Sequence, residues 1–128
     1  MNSVLIVDSS PIVLEGCRRI LEDAGFEPVL SARDIVAGYQ LYLEQRPDVV
    51  IVDLAFAGND LDGLALIRRI RAHDARTRIL VLSMHDNPMI VMHSLEAGAS
   101  SYVLKDTSVE ELVRQVRAER RSSARSSV

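Results

Sequence analysis

The sequence predicts an α/β domain built on a doubly wound, five-stranded parallel sheet. Three observations carry that prediction. Short apolar runs alternate five times with stretches of helical periodicity. Three of the runs, Val4-Leu5-Ile6-Val7, Val49-Val50-Ile51-Val52 and Ile79-Leu80-Val81-Leu82, contain only Val, Ile and Leu. That composition suits parallel strands covered on both faces by helices. Four runs also end in a polar group: Asp8, Asp53, Ser83, and Lys105 after Tyr102-Val103-Leu104. In open parallel sheets, chemistry gathers at the carboxyl ends of the strands.

Each element has its own signals. Val4 to Val7 is strand one. Ser10 suits the N-cap of the first helix and Pro11 its first turn, where the missing N–H would be unbonded anyway. Leu14, Cys17, Leu21 and Ala24 form its inner stripe, and Gly25 stops it. Glu27 to Ala32 reads as strand two, an edge strand because Pro28 lies within it. Residues 34 to 45 read as the second helix, with Ile35, Val36, Tyr39 and Leu43 inside, and Pro47 separates it from strand three. Residues 54 to 63 form a loop. Leu64, Ile67 and Ile70 mark the third helix, with Arg68, Arg69 and Arg71 turned outward. Strand four is Ile79 to Leu82. The fourth helix follows Asn87-Pro88 and ends near Gly98. Strand five is Ser101 to Leu104. Ser108 opens the fifth helix with Glu111 at capping-box spacing, and Val109, Leu112, Val113 and Val116 form its buried stripe. Crossovers should be right-handed. Arg114, Arg117, Arg120, Arg121 and Arg125 then lead into serines, read as a solvated helix end and a linker.

Bulk properties exclude several classes. The chain has 128 residues, enough for one core, and is 48% hydrophobic, so it is not a disordered segment. A net charge of -3, from 15 basic and 18 acidic residues, argues against nucleic-acid binding by the whole domain. Cys17 is the sole cysteine, which excludes an internal disulfide and fits a reducing compartment. No run approaches a membrane span. Met1-Asn2-Ser3 runs straight into a strand with no basic segment, so no signal peptide is expected and the location expected is cytoplasmic.

Asp8 and Asp53 end strands expected to be neighbours. Two close carboxylates raise each other's pKa unless a cation is present, and a hard cation such as Mg²⁺ takes oxygen ligands. Lys105 supplies fixed positive charge and Ser83 a hydroxyl. This set suits a phosphoryl group, whose transfer depends on positioning and charge neutralisation, and a carboxylate can itself be the nucleophile.

Four segments together resemble the receiver domain of two-component response regulators, from about residue 3 to residue 119. They are Val4-Leu5-Ile6-Val7-Asp8-Ser9-Ser10-Pro11, Val50-Ile51-Val52-Asp53-Leu54, Val81-Leu82-Ser83-Met84-His85, and Ala97-Gly98-Ala99-Ser100-Ser101-Tyr102-Val103-Leu104-Lys105-Asp106. Their wording is similar to receivers joined to LuxR-type helix-turn-helix domains. The resemblance implies a flavodoxin-like (βα)5 fold with strand order 2-1-3-4-5, over residues 1-119, with 120-128 as tail or linker. It implies that Asp53 is the phosphoacceptor, that Asp8, Asp53 and the Ala55 carbonyl hold Mg²⁺, that Ser83 is the switch hydroxyl, that Lys105 pairs with the phosphate, and that Tyr102 is the aromatic switch. It implies a histidine kinase as partner, a homodimer on phosphorylation, and DNA only through a further C-terminal domain.

The chain departs from the family's pattern in three places. Ser9 stands where a second acid is usual, which should weaken Mg²⁺ binding. The loop after Asp53 has Ala57 in place of proline and looks two residues longer; Asp60 or Asp62 either reaches the metal or is a solvated loop acid or helix cap. Asp106 replaces the proline common after the lysine, leaving the isomer of the Lys105–Asp106 bond open. Elsewhere, His73, His85 and His93 lack metal-ligand spacing, although His85 is placed to line the site. Cys17 reads as core. Met89, Ile90, Val91 and Met92 are core or a partner surface. Two other functions compete: a degenerate receiver used as a binding module, motivated by Ser9, and a phosphohydrolase using Asp53, which would want an acid where Ala55 stands.

Overall fold

In the computed structural model the described residues are 2–55 and 62–126, with side chains to Arg117. Five strands and five helices alternate: β1 (Val4–Val7), α1 (Pro11–Asp23), β2 (Val29–Ala32), α2 (Ile35–Gln45), β3 (Val49–Val52), α3 (Gly63–Arg71), β4 (Arg78–Ser83), α4 (Pro88–Ala97), β5 (Ser101–Leu104) and α5 (Val109–Ser126). All strand pairs are parallel, in the order β2-β1-β3-β4-β5. The expected fold and strand order are both present.

Strand alternation divides the core in two. Leu5, Val7, Val50, Val52, Ile79 and Val81 face one side, with Tyr42 of α2 and Leu66, Ile67 and Ile70 of α3. Val4, Ile6, Val49, Ile51, Leu80 and Leu82 face the other, with Leu14, Cys17 and Leu21 of α1 and Leu112 and Val116 of α5. Burial on both faces is why β1 and β3 are apolar throughout, each residue being at most 3% exposed.

Four expectations are corrected. β2 begins at Val29, after Pro28, which has no N–H for a ladder and instead lends its carbonyl to the Val4 amide (3.0 Å). On α2, Val36 is 72% and Leu43 40% exposed; Gly38 and Tyr42 are the buried pair. A Cβ at Gly38 would lie 2.9 Å from a Val7 methyl, so glycine lets α2 approach β1. Tyr42 can enter the core because its hydroxyl finds Asp74. Arg71 does not point to water. Its Nε donates to the Gly98 carbonyl (2.8 Å) and one terminal nitrogen to Ser100 Oγ (3.2 Å), tying α3 to the α4–β5 turn. Val109, placed in the buried stripe of α5, is 51% exposed because it lies at the helix's first residue, ahead of the packed turn.

The caps follow the sequence signals. Ser10 Oγ accepts from the Val13 amide (3.3 Å), and Ser108 Oγ from the Glu111 amide (3.1 Å). Glu111 does not reach back to complete a box; its carboxylate takes bonds from Arg114 and Gln115. Gly25 and Gly98 have φ of 98° and 122°, the left-handed region that glycine tolerates.

Candidate functional site

The parallel register of β1, β3, β4 and β5 delivers four side chains to one end of the sheet. Val7 pairs with Val52, so Asp8 and Asp53 leave the sheet side by side. Ser83 pairs with Leu104, so Lys105 follows on the neighbouring strand. The main chain is anchored there: the Asp53 amide donates to Val7 O (2.9 Å), the Asp8 amide to Ala32 O (3.1 Å), and the Lys105 amide to Ser83 O (2.7 Å).

Lys105 Nζ lies 3.0 Å from Asp8 Oδ2 and 3.4 Å from Asp53 Oδ2. One ammonium thus serves two carboxylates, and Asp8 and Asp53 are 2% and 6% exposed. Burial pushes the Asp53 carboxyl above its ordinary value and the Asp8 charge adds to the rise; Lys105 and the Ala55 N–H oppose it. The site therefore holds slightly more negative charge than it can settle alone, a setting ready for an added cation.

Asp8 is aimed by a local turn. Its Oδ1 accepts the Ser10 amide at 2.9 Å, the i to i+2 bond typical of aspartate before a helix. The same Ser10 caps α1, so strand end, carboxylate and helix start are one rigid unit. Sequence reading gave Ser10 only the cap; the Asp-x-Ser-Pro spacing was the available signal for the rest. Gly63 is also more than a helix opener. Its amide donates to Leu54 O (2.8 Å), and a Cβ there would lie 2.7 Å from Leu54 Cα and overlap the Asp53 carbonyl oxygen. The start of α3 thus presses on the main chain that carries Asp53.

Ser83 is 1% exposed and its Oγ accepts the His85 amide (3.1 Å). Tyr102 is half-buried against the α2–α3–α4 side of the core, and its hydroxyl donates to His85 O (2.7 Å). The β4–α4 turn is thereby held by both the serine and the tyrosine.

Asp8, Asp53 and Lys105 meet, and the Ala55 N–H bonds the Asp53 carboxylate. Ser83 stands at the end of the adjacent strand β4, its Oγ on the His85 amide. Several other candidates do not join them. Ser9 is exposed. Asp62 sits at the N-cap of α3 with no side-chain cap bond, and Asp60 lies outside the described residues. Among the described residues no group of three or more His, Cys, Asp or Glu is placed to hold a metal. The oxygen-only pair Asp8 and Asp53 still suits a hard cation, which takes one or two carboxylates and keeps water on its other positions. The Lys105–Asp106 bond is trans; the cis bond among the described residues is Glu27–Pro28. Cys17 is buried in the core, where burial and then Asp8 push its thiol upward, away from reactivity. His73 meets Tyr39 at 2.9 Å and His93 lies 3.9 Å from Glu96, so the partners of both are outside the Asp8–Asp53 pair. No described helix is long and apolar enough to cross a membrane.

Several known proteins are similar to this chain. The methanol utilization control regulatory protein MoxX of Paracoccus denitrificans is 35% identical over 109 residues, covering 85% of this chain and 49% of its own length. The oxygen regulatory protein NreC of Staphylococcus epidermidis is 36% identical over 115 residues, 89% of this chain and 52% of its own. The chain thus spans about half the length of the curated relatives it matches. A crystal structure of a LuxR-family two-component response regulator from Aurantimonas sp. SI85-9A1 superposes with a TM-score of 0.83 at 39% identity, covering 91% of this chain and 82% of that one. The family model for the response regulator receiver domain matches residues 4–117, so this chain belongs to the response regulator receiver domain family.

Proposed function

We propose that this receiver takes a phosphoryl group on Asp53 from a histidine kinase and thereby switches an output carried elsewhere. The observation that carries the reading is the Asp8–Lys105–Asp53 cluster, with two ion pairs of 3.0 and 3.4 Å at adjacent strand ends. An Asp53 carboxylate oxygen attacks phosphorus; the new P–O bond forms as the P–N bond to the donor imidazole breaks, and the departing nitrogen keeps the electron pair. Lys105 lies close enough to pair with the arriving charge. Ser83 Oγ, now held by the His85 amide, is the hydroxyl free to turn toward the phosphoryl oxygens. Because the Tyr102 hydroxyl holds the same turn, a move of Ser83 changes what Tyr102 bonds to, and hence the surface of α4 and β5.

Asp8, Asp53 and the Ala55 carbonyl would hold Mg²⁺, which when bound neutralises charge on the phosphoryl oxygens. A cytoplasmic setting, a kinase partner and a DNA-binding output in a further domain belong to the same reading. A turnover enzyme is not favoured, since Ala55 stands where a phosphohydrolase would want an acid.

Incubation with Mg²⁺ and acetyl phosphate should add one phosphoryl mass to the chain, and Asp53→Asn should abolish the gain. No gain under conditions that label an intact receiver would sink the reading. A second reading is a binding module with weak or no phosphorylation. Exposed Ser9, where a second acid after β1 is usual, favours it. Titration with Mg²⁺ separates the two: millimolar or tighter binding supports the switch, and its absence supports the module.

A further inference from the structure

We propose that a cleft at the amino-terminal end of the sheet binds a small phosphate-bearing anion between the start of β4 and α5. The cleft measures about 670 Å³, within the range of roughly 300–1,000 Å³ that holds small ligands. Arg76 and Arg78 stand on its β4 side and Arg117 on its α5 side. Asp48 is the one acid among its described lining residues. Its Oδ2 accepts from the Ser3 amide (2.9 Å) and the Ser3 hydroxyl (3.3 Å), and it pairs with neither Arg76 nor Arg117. Arg76 is exposed, and its guanidinium has no hydrogen bond or ion pair among the described residues. Arg18, Arg19, Arg46 and Arg114, by contrast, each pair with an acid.

The other two cations are already held in place. Arg78 donates to the Gln115 carbonyl (3.0 Å) and to the Val116 carbonyl. Arg117 donates to the Ala24 carbonyl and lies 5.7 Å from the centre of the Phe26 ring. Neutral carbonyls and a ring fix these side chains without cancelling their charge, so little is lost in ordering them when an anion arrives. A guanidinium has five N–H donors, and Arg117 uses one of them on Ala24. Arginine forks suit oxyanions, and here they stand on two walls. A tetrahedral phosphate offers oxygens to both walls at once; a planar carboxylate serves one. The cleft is also remote from the phosphoacceptor. β4 runs six residues from Arg78 to Ser83, a span of roughly 16 Å. An occupant would tie the α3–β4 turn to α5 at the end of the sheet opposite Asp53.

The test is calorimetric titration of the full chain with sodium pyrophosphate, at fixed ionic strength and without Mg²⁺. The expected result is one-to-one binding with a dissociation constant below a millimolar. Arg76→Ala should weaken it at least tenfold, the scale of one hydrogen bond to a charged group. Thermal unfolding of that variant should stay unchanged without ligand, because the guanidinium has no partner among the described residues. Arg76→Lys should recover only part of the loss, since an ammonium lacks the fork. A nucleoside diphosphate is titrated alongside. Tighter binding than pyrophosphate supports the proposal and assigns the rest of the cleft to the nucleoside; equal binding supports it with the phosphates alone as the ligand. Absence of binding by both anions, in heat and in thermal shift, overturns it. So does binding indifferent to Arg76→Ala, or displacement by sulfate as effective as by pyrophosphate itself. Asp53→Asn should bind pyrophosphate as the wild type does, so failure here and failure of Asp53 phosphorylation are separate results.

Discussion

A single ammonium, Lys105 Nζ, holds two buried carboxylates at 3.0 and 3.4 Å, and the next residue after the first of them is a serine. Ser9 is exposed, so an acid there would add charge near Asp8 without a large burial cost. Ser9→Asp should therefore tighten Mg²⁺ binding by roughly tenfold, or ~1.4 kcal/mol. Calorimetric titration checks this, and an unchanged affinity would mean that position 9 does not face the cation. The residue scale also holds a steric demand. Gly63 offers no room for a methyl between Leu54 Cα, at 2.7 Å, and the Asp53 carbonyl. Both obstacles are main chain and cannot rotate away. Gly63→Ala should cost roughly 1–3 kcal/mol, the usual range for overpacking, and should slow phosphorylation of Asp53 by moving its backbone. Urea unfolding and the labelling rate measure the two effects; a stable variant with unchanged labelling would contradict the steric reading.

At the scale of elements, the junction of α2 with the α3–β4 turn depends on one carboxylate. Asp74 accepts from the Arg76 and Thr77 amides at 2.9 and 3.0 Å, from the Thr77 hydroxyl, and from the Tyr42 hydroxyl of α2; Arg46 lies 3.8 Å away. Burial alone would raise this carboxyl, but the bonds from Thr77 and Tyr42 outweigh it and hold the group well below its ordinary 3.8. A folded pKa below the unfolded one gives stability that is present above the unfolded value and lost as pH falls through 3.8 and below. Asp74→Asn should accordingly cost about 1–3 kcal/mol at neutral pH, and wild type and variant should converge in acid. Denaturant midpoints at several pH values test it; a cost independent of pH would point to lost packing instead. This junction shows where sequence reading stops. Tyr42 and Asp74 are 32 residues apart. Apolar periodicity therefore placed Val36 and Leu43 inside α2, because it cannot see that a distant acid lets a tyrosine go in their place. Arg71 misled for the same reason: two of its partners, Gly98 and Ser100, lie in the distant α4–β5 turn.

Across the whole molecule, the fold was legible because parallel strands buried on both faces leave unbroken apolar runs, and each run ends where its neighbours end. Asp8, Asp53, Ser83 and Lys105 were legible on the same ground, since register turns strand ends into a site. Burial of the carboxylates was not legible, and it sets the site against the stability of the molecule. Asp53 has a folded pKa above its ordinary 3.8, chiefly from burial and then from Asp8. The native state then binds more protons than the unfolded chain between those two values, so stability falls as pH rises through that window, and the full penalty persists above it. Asp53→Asn removes the charge and leaves Lys105 to Asp8 alone, 3.0 Å away. The variant should be more stable than wild type at neutral pH, because the buried charge that burial and Asp8 disfavour is gone. That gain should vanish below 3.8, where the carboxyl is protonated in both states. Added Mg²⁺ should close the gap from the other side, stabilising the wild type by mass action while leaving Asp53→Asn nearly unmoved. Thermal unfolding of both proteins, with and without Mg²⁺ and across pH, reads all of this at once. A variant less stable than wild type at neutral pH would show that Asp53 supports the fold rather than straining it.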